Sequence, residues 1–115
     1  MLPYKRSQRV SDLLREEIAE IIMRKLKDPR LGFITVTGVD ITEDLKIAKV
    51  FISSLNEKDR ESNLSILNSA KSFIRSEVAK RVRMRTIPSI EFRTDESIGY
   101  GDRIEKLLRE IKEKS

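Results

Sequence analysis

The sequence contains no cysteine, no histidine and no tryptophan, and each gap removes a class of chemistry. Without cysteine there is neither a disulfide nor a thiolate nucleophile. Without cysteine or histidine, the usual zinc-ligand sets could be assembled only from a run of carboxylates. The redox compartment is therefore not legible from cysteine pairing, and no metal or other cofactor is expected. Long apolar runs are missing as well. The N-terminal stretch MLPYKRSQRV lacks the roughly 7–15 apolar residues of a secretory signal. No segment approaches the roughly 20 apolar residues of a membrane span. No membrane association is expected, and the default location is cytoplasmic. Aromatic residues are few, at four Phe and two Tyr, and only Phe73 lies in the most basic part of the chain. Stacking of single-stranded bases cannot then be a main source of affinity for a nucleic acid.

What is abundant is charge. Of 115 residues, 37% are Asp, Glu, Lys or Arg and 38% are hydrophobic, which suits a small two-layer core with charges at most exposed positions. The whole chain, 1–115, is expected to form one domain, with no internal repeat, low-complexity tract or second unit. The net charge of +5 is unevenly spread. Residues 71–85 carry six Lys or Arg against one Glu, a local excess equal to the net charge of the whole chain.

Apolar spacing sets the expected elements. Val10, Leu13, Leu14, Ile18, Ile21, Ile22 and Leu26 predict an amphipathic helix from Ser7 to about Lys27, stopped by Asp28-Pro29 with Gly32 as the exit. FITVTGVDI is β-branched, but its alternation slips between Ile34/Val36 and Val39/Ile41. A bulge at Gly38 would return all four to one face. KIAKVFIS then alternates cleanly, so the two runs predict an antiparallel hairpin across Thr42–Leu45. Helical spacing resumes at Leu64, Leu67 and Ala70 and continues through Ile74, Val78 and Val82. Its phase drifts where Ser69 and Ser72 flank Ala70-Lys71, predicting a helix, a kink at Ala70 and Ser72, and a second helix. After Pro88, Ile90 and Phe92 mark a short strand. Asp102 and Glu105 could cap a last helix with the stripe Ile104, Leu107, Leu108, Ile111. The natural assembly is an α+β fold, a three-stranded sheet with helices packed on one face.

In the basic segment, Ile74, Val78 and Val82 face the core, which puts Arg75, Lys80 and Arg83 on an arc of about 140° beside and opposite that edge. Glu77 precedes Arg81 by four residues and is expected to pair with it. Lys71, Arg75, Lys80, Arg83 and Arg85 have no such partner in sequence. A solvated, solubilising face is the plain alternative, but solubility is served as well by mixed signs. The unmixed cluster, with further cations at Lys5, Arg6 and Arg9 and at Arg24, Lys25, Lys27 and Arg30, points to a polyanion, and phosphate contacts would relieve the self-repulsion. Backbone and shape recognition of a structured RNA or DNA fits the low aromatic content.

DPRLG reads as a helix stop followed by a turn, with Arg30 as its candidate RNA contact. Glu43-Asp44 and Asp95-Glu96 are paired acids that could serve metal-dependent phosphodiester cleavage. A hairpin turn and a helix start explain them as well, and no His, Cys or Gly-rich phosphate loop accompanies them. The apolar stripes of the terminal helices read as core rather than as partner grooves.

Several motifs in order resemble the ribosome-binding factor A family: QRV (8–10), KDPRLG (27–32), TGV (37–39), DLKIAKVF (44–51), FIR (73–75), RMRTIP (83–88) and DESIGYGDRIEKLL (95–108). The resemblance implies a K homology fold of the second type in which an Ala-x-Gly kink stands in place of the glycine loop. Here Ala70-Lys71-Ser72 occupies that place, so the final glycine is replaced. It further implies a non-enzymatic protein that binds free small ribosomal subunits through their rRNA and acts late in small-subunit maturation, including processing of the rRNA 5′ end. Growth in the cold is the implied setting. The protein is expected to act as a monomer without a small-molecule substrate, and the long tail of some members is not expected after the last helix.

Overall fold

The computed structural model describes residues 6–96. The expected helix beginning at Asp102 and the candidate contact Lys5 lie outside the described residues. Within them the order is α1 (Arg6–Arg24), β1 (Ile34–Ile41), β2 (Ile47–Ser54), a 3-10 turn (Glu57–Asp59), α2 (Arg60–Ser69), α3 (Lys71–Arg81) and β3 (Ser89–Thr94). This is the helix-strand-strand-helix-helix-strand order of the α+β, K homology-like fold that the resemblance implied.

The sheet order is β1-β2-β3, with β1 antiparallel and β3 parallel to β2. A parallel neighbour cannot be reached by a tight turn, so the chain between β2 and β3 must cross over, and α2 and α3 are that crossover. Apart from Ile47 and Phe51 of β2, the strands send their apolar side chains to one face. Val36, Ile41, Ala48, Val50, Ile52, Ile90 and Phe92 meet Leu14, Ile18, Ile21, Leu67, Ile74 and Val78 there, forming one buried cluster. The helices therefore cover a single face of the sheet.

The slip in β1 is resolved by a bulge between Val36 and Gly38. Val36 pairs with Ile52, Val39 with Val50 and Ile41 with Ala48, so the extra residue, Thr37, restores the apolar set to the core. Gly38 has no positive φ, and a Cβ there would meet open space. The bulge thus needs the extra residue and not the glycine. Gly32 is different: a Cβ would sit 2.7 Å from Asp59 Oδ2, and its N–H donates to Asn63 Oδ1 at 2.9 Å.

Two boundaries differ from expectation. The first helix ends at Arg24, before Asp28-Pro29, and the N–H groups of Lys25 and Leu26 both reach back to the Ile21 carbonyl. The third ends at Arg81, because Val82 is extended (φ −114°, ψ 128°). Once Val82 leaves helical geometry, Arg83 and Arg85 belong to the connection to β3 and not to the helical arc.

The break between α2 and α3 falls on Ala70 (φ −94°, ψ 3°). Its N–H bonds to the Ile66 and Leu67 carbonyls, and its carbonyl accepts from Ile74, so hydrogen bonding is relayed across a single residue. Neither Ser69 nor Ser72 makes a side-chain hydrogen bond among the described residues, so a serine back-bond is not the cause of the break. Ser72 lies in the first turn of α3, and no residue at the break has a positive φ. Nothing there requires the freedom of glycine, which explains how the replacement is accommodated.

Candidate nucleic-acid interface

Helix α3 buries Ile74 and Val78 and turns Lys71, Arg75 and Lys80 outward. Lys71 and Lys80 stand at its two ends, about 14 Å apart along the axis. Arg83 and Arg85 follow in the connection and are exposed. All five of the contacts expected in the basic segment are thus solvent-facing on α3 and its exit.

Their partners separate them. The expected pair Glu77–Arg81 is not formed. Glu77 instead holds Lys80 (3.3 Å), while Arg81 crosses to α1, 3.5 Å from both Glu17 and Glu20. The reason is burial: the Arg81 side chain is only 22% exposed between the two helices, where two carboxylates from α1 outcompete one from its own helix. Lys71, Arg83 and Arg85 have no acidic partner among the described residues. Within the described residues their like charge is unrelieved, which is the electrostatic condition for an anion site.

Arg75 has a different occupation. Its Nη2 donates to the Ile87 carbonyl at 2.8 Å, and its Nε lies 3.2 Å from the Pro88 carbonyl. This folds the 82–88 connection back along α3, carrying Arg83 and Arg85 with it. A guanidinium has five N–H groups, so donors remain, but the first task of Arg75 is to hold that connection in place.

The other expected contacts are spread more widely. Arg6 and Arg9 open α1 and are exposed, with Arg9 already engaged in an interaction of its own. Arg6 is about 16 Å along the helix from Glu17, the anchor point of Arg81. Arg30 is exposed but tied to Asp28: the carboxylate accepts from the Arg30 N–H (2.9 Å), Nε (3.0 Å) and Nη2 (2.7 Å). These bonds hold the Asp28 carboxyl at about 2, well below its ordinary value, and raise Arg30 in turn. The turn reading of DPRLG is therefore what the geometry shows, with Arg30 built into the turn.

Three of the four paired acids have structural partners as well. Asp44 accepts from the Thr42 hydroxyl (2.6 Å) and the Lys46 N–H (3.1 Å), bonds that lower its pKa, in a turn where Leu45 takes φ 62°. Asp95 accepts from the Thr37 hydroxyl at 2.6 Å, and Glu96 pairs with Arg60. Among the described residues no three His, Cys, Asp or Glu side chains cluster as a metal site.

Two residues the sequence reading passed over hold the frame. Asn63 is fully buried; besides accepting from Gly32, it donates to Ser54 Oγ at 3.1 Å, locking α2 to both chain segments at the open end of the hairpin. Asn68 brackets β3, accepting from the Phe92 N–H (3.1 Å) and donating to the Phe92 carbonyl (3.4 Å). The signal for Asn63 was present, since it sits four residues before Leu67 on the buried stripe.

Comparison with known proteins matches the same frame. The family model for "Ribosome-binding factor A" matches residues 6–108. A curated ribosome-binding factor A from Thermodesulfovibrio yellowstonii is 62% identical over 115 residues, covering 100% of this chain and 98% of that one. The crystal structure of ribosome-binding factor A from Thermus thermophilus superposes with a TM-score of 0.70 at 32% identity, over 79% of this chain and 97% of that one. A homology model of the Thermus thermophilus factor, fitted into a cryo-EM map of its complex with the 30S subunit, gives 0.64 at 32% identity, over 75% and 91% of the two chains.

Proposed function

Because this chain belongs to the ribosome-binding factor A family, we propose that it binds free small ribosomal subunits through rRNA phosphates and serves late small-subunit maturation, including 5′-end processing of small-subunit rRNA. It acts by binding and not by cleaving: it holds one rRNA conformation while assembly proceeds around it. The observation that carries this reading is the exposed cationic surface at Lys71, Arg83 and Arg85, which has no acidic partner among the described residues, on a frame shared with a relative fitted into a 30S complex. Lys80, loosely held by Glu77, and the exposed Arg6 and Arg9 at the start of α1 add to the contacts of this reading, and so does Lys5 by its charge alone. Each phosphate contact releases condensed counterions, so binding gains entropy from the salt already present around the RNA.

On this reading the working form is a cytoplasmic monomer with no small-molecule substrate, and growth in the cold is where its loss is felt. Maturation of the 5′ end then depends on a protein that never touches the scissile bond. The experiment is the affinity of the full chain for isolated small subunits as a function of salt. A steep negative log-log slope, by about one unit per phosphate contact, supports the reading. A flat slope overturns it.

A further inference from the structure

The two edges of the sheet are treated differently. On β3 the outward N–H and C=O of Phe92 are taken by Asn68. On β1 nothing comparable occurs among the described residues. Leu55 N–H donates to the Phe33 carbonyl, which turns Phe33 toward β2. By the alternation of an antiparallel ladder, Ile34 and Val36 then point their N–H and C=O to the free edge. Among the described residues no side chain caps them.

A groove of about 1000 Å³ runs along that edge. Four consecutive residues of the strand and its approach, 33–36, line it. Successive strand side chains point to opposite faces, so a groove that touches all four follows the backbone edge and not one face. Its other wall is α1 and its exit, through Ala19, Ile22, Met23 and Leu26. Met23 lies on the side of α1 opposite Leu14, away from the buried stripe. Met23 and Phe33 are 79% and 82% exposed, the largest apolar exposures there.

The rim selects the occupant. Glu20 is held by Arg24 and Arg81, and Asp28 by Arg30. That leaves Arg15 and Lys27 against Glu16 as the uncommitted charges lining the groove among the described residues, a net positive rim. A second copy of this chain would bring the same positive rim to itself, so self-pairing is disfavoured. A nucleic acid offers no strand backbone to pair with Ile34 and Val36 and no aliphatic side chains for Met23 and Phe33.

We propose that this groove is a second docking site, taking an extended acidic segment of a protein partner that adds to β1 as a strand, with apolar side chains at alternate positions on Met23 and Phe33. Main-chain pairing supplies affinity and the alternate pockets supply selectivity. The site is separate from the α3 surface and does not depend on the rRNA reading.

The test uses the full chain to select from a phage library of random twelve-residue peptides. The expected winners alternate aliphatic and acidic residues. The best of them, synthesised and titrated into ¹⁵N-labelled protein, shifts the Ile34 and Val36 amides and slows their hydrogen exchange. Met23→Ser with Phe33→Ser weakens it at least 10-fold, and both sites are exposed enough for the variant to fold. N-methylation of alternate peptide amides abolishes binding. The proposal is overturned if no peptide is enriched, if binding survives the double substitution, or if the shifts fall elsewhere. It is equally overturned if polyuridylate, or rising protein concentration alone, moves the same amides.

Discussion

The guanidinium of Arg75 lies 2.8 Å from the carbonyl oxygen of Ile87, twelve residues on, and so converts a cation of the basic helix into a brace for the chain that leaves it. Replacing Arg75 by Met keeps the aliphatic stem and removes the donors. We expect a loss of about 1 kcal/mol in stability, since these bonds are solvent-accessible. Small-subunit binding should weaken as well, through misplacement of Arg83 and Arg85. Arg75→Lys, whose compact ammonium lacks the planar fork of the guanidinium, should recover only part of either quantity. Urea denaturation and subunit affinity, measured on the same preparations, check this.

Arg83 and Arg81 should separate cleanly. Arg83→Ala and Arg85→Ala are each expected to flatten the salt slope of binding by about one unit while leaving the melting temperature unchanged. Arg81→Met should do the reverse, lowering stability by about 1 kcal/mol with little change in slope, because its charge is already spent on Glu17 and Glu20. Reversal of Lys71, Arg83 and Arg85 together to Glu should abolish binding by a folded protein, verified by an unchanged circular dichroism spectrum.

Asn63 is the costliest single polar side chain to lose. Asn63→Ala leaves the Gly32 N–H without its acceptor beside the core, and about 2–3 kcal/mol should be lost. The denaturation midpoint should fall with the slope m unchanged, since the same surface is exposed on unfolding.

Asn68→Ala uncaps β3. Stability should fall by about 1 kcal/mol, and the freed edge should promote self-association, visible as concentration-dependent light scattering absent from the parent protein.

The Asp28–Arg30 turn carries a pH signature. The Asp28 carboxyl is depressed to about 2 in the folded chain. Its contribution is therefore fully present above the ordinary carboxylate range and is withdrawn as pH falls from about 4 toward 2. Carboxyl ¹³C shifts should place its midpoint near 2, and Arg30→Ala should return it toward the ordinary value. A midpoint near the ordinary value in the parent would contradict the geometry.

Much of this fold could be read from local spacing. The stripe Leu14, Ile18, Ile21 and the alternation Ala48, Val50, Ile52 each state which face is buried, because helical and strand periods are fixed by the backbone alone. The β1 bulge was legible for the same reason: only one extra residue reconciles Val36 with Val39 and Ile41. The end of α3 was not, since Val82 continues the apolar stripe in sequence while leaving the helix in space. Nor were the partners of the polar braces, which join residues 9 to 64 positions apart, since periodicity can mark a position as buried but does not say what it bonds to.

What the sequence by itself determined is the order of elements, the composition of the core and the positive excess of residues 71–85, all set by nearest-neighbour geometry and by counting. Tertiary packing decided which of those cations are paired within the described residues. It gave Arg81 to two carboxylates of α1 and Arg75 to two backbone carbonyls, and it left Lys71, Arg83 and Arg85 facing solvent. Charge is a property of composition, but its neutralisation depends on distance, and distances between remote residues exist only once the chain has folded.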